Sequence, residues 1–180
     1  PTVTNALTRH PAVAASAIAT LNEISGGRAF LGIGSGDSAI FNLGLRPAKL
    51  AELQEYIEAL RAVLSGESYD YKGRSIHVQW SENAVPIVMS AEGPKTLALA
   101  GAVADAVIVH SGLTTEVLTD TIDRIREGEC AAGRPEGSAE VWAFAKCNIA
   151  DRRDDAIDEI KMALAASGHH AFRFTLEGKN

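Results

Sequence analysis

Short apolar runs alternate with longer amphipathic segments along most of this chain. The runs at 29–33, 86–89 and 106–109 are continuously apolar, whereas the run at 141–149 is interrupted by polar residues. A short strand tail precedes them at 2–5. Continuous apolar runs separated by helices are typical of strands buried on both faces of a parallel sheet. The pattern therefore predicts an α/β protein whose chemistry lies in the loops that follow the carboxyl ends of its strands.

The segments between these runs have helical periodicity. The clearest is 50–64, in which leucine or isoleucine recurs every three or four residues and forms one apolar face. Pro11 in a first turn and glycines after several last turns help to place the helix ends. Weak alternation around Lys72 and Gly73 predicts a small hairpin within 67–78. The predicted helices are 12–24, 50–64, 95–104, 116–132 and 154–166.

Length, charge and cysteine content narrow the possible classes of protein. A chain of 180 residues, 46% of them hydrophobic, can bury one core, so we expect a single domain over 1–180. The net charge of −6 disfavours nucleic acid or an anionic membrane as a partner. No apolar run approaches the roughly 20 residues that span a bilayer, and no secretory signal pattern is recognisable. Because Cys130 and Cys147 lack metal or redox spacing, we expect a cytoplasmic protein with two reduced thiols.

The number of strands leaves two architectures open. A closed barrel of alternating strands and helices needs eight strands, and this pattern supplies a strand tail and four further strands. The sheet is therefore either open and doubly wound or a part of a barrel.

Five sequence runs, in this order and at plausible spacing, resemble the luciferase-like monooxygenase superfamily. Within it they are most similar to the members related to coenzyme F420-dependent methylenetetrahydromethanopterin reductase. Their ordered combination carries the resemblance across nearly the whole chain. The runs are Arg9–Pro11, Ala19–Arg28, Leu31–Asp37, Ala91–Thr96 and Leu99–Asp105.

The resemblance implies a (β/α)8 barrel that binds FMN or the deazaflavin coenzyme F420 at the carboxyl end of its strands. On that template the chain corresponds to the segment from the end of the third strand to the seventh helix, about half of the barrel. It implies an oxidoreductase that transfers a hydride to or from a small organic substrate. In the monooxygenase members of the superfamily, reduced FMN activates oxygen instead.

The loop from Ser90 to Thr96 is the main candidate for binding the cofactor. It lies between a predicted strand and a predicted helix, so backbone N–H groups of Ala91, Glu92 and Gly93 can form an anion site at a helix N-terminus. The hydroxyl groups of Ser90 and Thr96 add donors. The resemblance implies that this loop holds the cofactor phosphate. The alternative is an ordinary turn in which Ser90 or Thr96 caps the helix.

The next loop, Ser111 to Thr115, is predicted to complete the phosphate site through Ser111 and Gly112. Its alternative is also a helix cap, because Thr114 or Thr115 before Glu116 is a common helix start.

The glycine-rich run from Gly32 to Asp37 is a poor dinucleotide fingerprint, because it lacks the last spaced glycine and a long loop over 38–48 follows it. Glycines there, Gly34 among them, allow backbone to lie against a flat ring system. Asp37 is predicted to be a catalytic proton donor or a substrate contact, a role that an acidic residue at a similar place has in related F420 enzymes. The alternative is an aspartate that bonds the N–H groups of its own turn.

Three further candidate site residues lie in the first strand and in the turn after it. The resemblance implies that Thr4 and Asn5 lie beside the flavin ring and bond its polar edge. His10 is a second candidate acid–base residue, with a structural role at the helix start as the alternative. His169 and His170 have no partner at metal-ligand spacing, and no metal site is predicted.

A half-barrel of parallel strands has two open edges and an uncovered apolar interior, so we expect a homodimer or a higher homo-oligomer. An inactive half-barrel that serves as an oligomerisation or binding module is the main alternative to an enzyme. A third possibility is an open-sheet protein that binds another phosphorylated ligand. Tyr69, Tyr71 and Trp80 either line a substrate pocket or pack the hairpin onto the barrel.

Overall fold

The computed structural model describes residues 3–79 and 84–175, and of Ser38 and 166–175 it describes the backbone alone. The strands are β1 (Thr4–Asn5), β2 (Leu31–Gly34), β3 (Tyr69–Tyr71), β4 (Arg74–Ile76), β5 (Ile87–Ser90), β6 (Ala106–Val109) and β7 (Glu140–Ala143). The helices are α1 (Pro11–Ile24), α2 (Ser38–Phe41), α3 (Leu50–Leu64), α4 (Pro94–Val103), α5 (Thr115–Ala131) and α6 (Arg153–Thr175).

Five strands form one parallel sheet in the order β1-β2-β5-β6-β7, and β3 and β4 form the predicted hairpin. A helix follows each strand of the sheet, which confirms the α/β class. The strands lie side by side in chain order. A doubly wound sheet reverses this order at a switch point, whereas a barrel does not. Among the described strands there is no reversal, so the topology is that of a barrel segment.

One face of the sheet is covered by helices. Of the predicted apolar face of α3, Leu53, Ile57, Leu60 and Leu64 are buried. Because side chains alternate across a strand, every second strand residue joins this core. These strand residues are Leu31, Ile33, Ile87, Met89, Val107 and Val109.

Helices α4 and α5 make an unusually close contact through two glycines. A Cβ atom built on Gly101 would lie 1.9 Å from the carbonyl oxygen of Ile125. One built on Gly128 would lie 1.8 Å from the carbonyl oxygen of Ala98. Both positions require glycine, because no side chain can occupy space already filled by backbone.

The opposite, inner face of the sheet is only partly covered. The rings of Phe30 and Trp142 meet edge to face with centroids 5.4 Å apart. Trp142 and Phe144 still expose 38% and 54% of their surface, and all four residues of β7 are exposed. Val88 and Ala106 of this face are buried, so its exposed apolar surface lies around Trp142 and Phe144.

Three predicted segments differ from the structure by more than two residues. Strand β7 ends at Ala143 instead of Ile149, because Ala143 pairs with Val109, the last residue of β6, and a strand cannot extend a ladder beyond its neighbour. The loop predicted over 38–48 contains the short helix α2, whose Ile40 is fully buried. Helix α6 runs to Thr175, beyond the predicted 166. None of the described helices is long and apolar enough to cross a membrane.

Candidate functional site

The carboxyl ends of β2, β5 and β6 bring three predicted loops together. Ser90 is in register with Ile108, and the Cβ position of Gly34 lies 3.9 Å from the Cβ of Ser90. Two residues further along each strand, the side chains of Glu92 and His110 are in contact. Gly93 and Ser111 each directly follow one member of this pair in the chain. The loops predicted to bind the cofactor therefore meet at one edge of the sheet.

Helix α4 begins without a side-chain cap. Its N-cap is Gly93, which has no side chain to accept a hydrogen bond, and Pro94 follows it. Neither Ser90 nor Thr96 caps the helix. The alternative for this loop, a turn in which one of these two side chains caps α4, is therefore wrong. The amide of Leu97 is bonded to the Gly93 carbonyl, whereas those of Lys95 and Thr96 have no capping partner in the described chain. Unpaired amides at a helix N-terminus favour an anion.

Helix α5 begins with a side-chain cap, in contrast to α4. The Thr114 hydroxyl accepts a hydrogen bond from the Val117 amide at 3.4 Å, so this part of the alternative is correct. The Ser111 hydroxyl oxygen is different: it is buried and bonds no other described residue. Gly112 has φ +144°, a conformation that suits glycine. A buried hydroxyl without a partner points to a ligand that would satisfy it.

Glu92 and His110 form a pair that local sequence patterns do not indicate. Nε2 of His110 is in direct contact with Oε1 of Glu92. The imidazole ring also meets Phe144 edge to face, with centroids 6.4 Å apart. His110 was absent from the predicted site. The signal that could have identified it is its position directly after β6, where side chains reach the rim of the sheet.

Gly34 ends β2, and Asp37 lies in the loop that follows. Gly34 lies on the inner face opposite Asn5, and a Cβ there would meet only ordinary contacts. The Asp37 carbonyl accepts hydrogen bonds from Ile40 and Phe41 at the start of α2. The Asp37 carboxylate is exposed and bonds to none of the described residues, so it does not act as the turn cap of the alternative.

Residues of the first strand and turn divide between the two faces. Thr4 is in register with Ile33, on the face that the helices cover, whereas Asn5 is in register with Gly34 on the inner face. The buried Asn5 accepts from the amides of Leu7 and Thr8 through its side-chain oxygen, at 3.0 and 2.9 Å. Of the two, Asn5 alone is therefore placed to meet a ligand on the inner face.

His10 has the structural contacts of a helix cap. Its Nδ1 accepts from the Ala12 amide at 3.3 Å, and its ring lies edge to face with Tyr71. Tyr71 also packs against Tyr56, so it holds the hairpin onto the core. Burial, with a contribution from Tyr71, raises the pKa of Tyr56 to about 12, and this hydroxyl stays neutral at ordinary pH. Trp80 and the side chains of His169 and His170 lie outside the described residues.

Neither a metal centre nor a disulfide is formed by the part of the chain that the structure describes. Cys130 and Cys147 are both free and exposed. No group of three or more His, Cys, Asp or Glu side chains within 3–79 and 84–165 could hold a metal ion.

A family model and the related proteins of known sequence all indicate the same family. The family model described as Luciferase-like monooxygenase matches residues 1–179. The 5,10-methylenetetrahydromethanopterin reductase of Archaeoglobus fulgidus is 34% identical over 174 residues, which cover 92% of this chain and 52% of the relative. The F420-dependent glucose-6-phosphate dehydrogenase of Nakamurella multipartita is 30% identical over 168 residues, which cover 87% and 50%. The chain spans about half the length of the curated relatives it matches.

Solved structures agree with this. The coenzyme F420 dependent tetrahydromethanopterin reductase from Methanopyrus kandleri superposes with a TM-score of 0.77 at 31% identity, covering 92% of this chain and 54% of that one. An F420-dependent secondary alcohol dehydrogenase gives a TM-score of 0.76 at 20% identity, covering 88% and 52%, and supports the fold alone. The chain belongs to the luciferase-like monooxygenase family, and its five-stranded sheet is a part of the (β/α)8 barrel of that family.

Proposed function

We propose that this chain supplies one side of the cofactor site of an oxidoreductase that uses F420 or FMN and acts on a small organic substrate. The observation that carries the proposal is the buried, unpartnered Ser111 hydroxyl. It lies in the loop after β6, which contacts the loop before the uncapped N-terminus of α4 through His110 and Glu92. A phosphate group there would satisfy the hydroxyl and the amides of Lys95 and Thr96. Two of the similar proteins above, the glucose-6-phosphate dehydrogenase at 30% identity and the tetrahydromethanopterin reductase structure at 31%, are described as F420-dependent, which favours F420 over FMN.

The residues at the rim have distinct tasks in this proposal. The loops at Gly93 and Ser111 would bind the phosphate, with Gly112 allowing the turn beside it. Gly34 leaves the inner face flat for a ring, and Asn5 stands opposite it with an amide group. Asp37, exposed at the same rim, would hold or release a proton. The bound cofactor supplies the hydride chemistry, and the protein positions its ring and excludes water.

Fluorescence titration tests this proposal. We expect F420, and more weakly FMN, to bind the purified chain saturably with about one cofactor per chain. Ser111→Ala should weaken that binding. A chain that is folded by circular dichroism yet binds neither cofactor would contradict the proposal.

A second function, an assembly module, is supported by a separate observation. The inner face exposes Trp142 and Phe144, and β1 and β7 are the edges of the described sheet. We propose that residues 1–180 form one partial-barrel domain that pairs with a second copy through this face and these edges. A dispersed monomer in light scattering at tens of micromolar (a concentration at which exposed edges and apolar patches associate) would exclude this pairing.

A further inference from the structure

Glu92 occupies a position that conflicts with phosphate binding. It directly precedes Gly93, the N-cap of α4, so its carboxylate is tethered next to the amides proposed to hold the phosphate. A carboxylate near a helix N-terminus is attracted by the same amides, and it also repels an incoming anion. An unrestrained Glu92 would therefore compete with the cofactor for this site.

His110 resolves this conflict in the structure. His110 directly follows β6, and its Nε2 contacts Oε1 of Glu92, so the carboxylate lies against the loop after β6. The carboxylate makes no hydrogen bond to the amides of α4. Phe144 packs on the edge of the imidazole and holds the ring in place. Only 16% of the Glu92 side chain is exposed, compared with 36% for His110, so the carboxylate is the more enclosed member of the pair.

We infer that His110 is a positioning residue for cofactor selection: it holds Glu92 away from the N-terminus of α4 and so allows a phosphate-bearing ligand to bind there. This inference rests on the proposed function. It predicts that His110 contributes to binding only as long as Glu92 is present. A residue that contacted the cofactor directly would contribute with or without Glu92.

A double-mutant cycle tests the inference by binding, independently of activity. Each variant is titrated with FMN and riboflavin, which differ by the phosphate alone, or with F420 and its phosphate-free chromophore if F420 binds better. His110→Ala should weaken binding of the phosphate-bearing ligand roughly tenfold. This is the expected effect of repulsion between a released Glu92 carboxylate and the phosphate a few residues away. Adding Glu92→Gln should restore affinity to within about twofold. The phosphate-free ligands should bind all variants alike.

Arg126→Ala is the matched control. It releases the Glu136 carboxylate from a 3.1 Å ion pair near the far end of α5, and it should leave both affinities unchanged. The inference is overturned if His110→Ala binds as the parent does, if Glu92→Gln fails to rescue it, or if phosphate-free ligands lose affinity equally. A parent chain that binds no cofactor contradicts the proposed function itself, and this inference with it.

Discussion

The two ends of β5 and β6 use their polar groups differently. At the amino end, the Asp105 carboxylate accepts from the Ile87 amide at 2.8 Å and pairs with Arg61 of α3 at 3.2 Å. The Asp105 backbone also bonds Ile87 and Glu140, so one residue joins three strands. At the carboxyl end, the Ser111 hydroxyl and the first amides of α4 lack such partners.

This difference separates stability from binding. Buried polar groups are normally paired, so the paired amino end stabilises the sheet and the unpaired carboxyl end is available to a ligand. The α4–α5 contact at Gly101 lies near the amino end, because Gly101 is in the last turn of α4 before β6. Substitutions at the amino end should lower stability, whereas substitutions at the carboxyl end should lower binding.

The largest loss of stability is expected from Gly101→Ala. Its methyl group would overlap the Ile125 carbonyl, so α4 and α5 must move apart at a cost of about 3 kcal/mol or more. The better helix propensity of alanine, about 1 kcal/mol, does not offset this. Urea unfolding measures the change. Gly34→Ala, which meets no atom closer than 3.8 Å, is the control and should unfold within about 1 kcal/mol of the parent.

A smaller loss is expected from Glu129→Gln in α5. The buried carboxylate accepts hydrogen bonds from the amides of Gly137 and Ala139 at 2.8 and 2.7 Å. Both amides belong to the turn that precedes β7. Burial acts to raise the pKa of Glu129, but these donors, the Ser138 hydroxyl and Arg134 together lower it. Because an amide group cannot accept from all these donors, we expect a loss of about 2 kcal/mol at neutral pH.

The pH dependence of that loss follows from the lowered pKa. A carboxyl group whose pKa is lower in the folded state contributes its full stability above its unfolded value, 4.5. That contribution disappears as the pH falls through the lower folded value. The difference in unfolding free energy between parent and Glu129→Gln should therefore shrink below about pH 4.5. If the difference in unfolding free energy stayed constant from pH 7 to 3, the negative charge of Glu129 would not contribute to the loss.

Gly93→Val should affect binding more than stability. Gly93 has φ −77° and ψ 151°, an extended conformation that valine adopts readily, so only about 1 kcal/mol of N-cap preference is lost. Its side chain would stand where a phosphate approaches the amides, and cofactor affinity should fall more than about tenfold. Fluorescence titration and thermal unfolding compare the two effects. Equal cofactor affinity in the variant would remove this loop from the site.

The smallest change in stability is expected from Asp37→Asn. The carboxylate is exposed and bonds none of the described residues, so the unfolding free energy should change by less than about 0.5 kcal/mol. If Asp37 transfers a proton, turnover of the complete enzyme should fall roughly a hundredfold with cofactor affinity nearly unchanged. Unchanged turnover per folded molecule would exclude Asp37 as the proton donor.

Much of the fold could be predicted from the sequence because its signals are local. The apolar face of α3, the glycine-rich turns and the apolar runs of β2, β5 and β6 each lie within a few residues of chain. The same local patterns correctly placed the candidate loops after the strands. The ordered runs of the family resemblance identified the barrel, which the periodicity by itself left open.

The tertiary structure decided which of these local elements meet. Glu92 and His110 contact only because β5 and β6 pair in one register, and Gly101 requires glycine only because α5 crosses α4 there. Thr4 and Asn5 were equal candidates until the pairing with β2 put them on opposite faces. Periodicity specifies the face that an element buries. The register and the distance between elements depend on packing among residues far apart in the chain, and no local pattern encodes that.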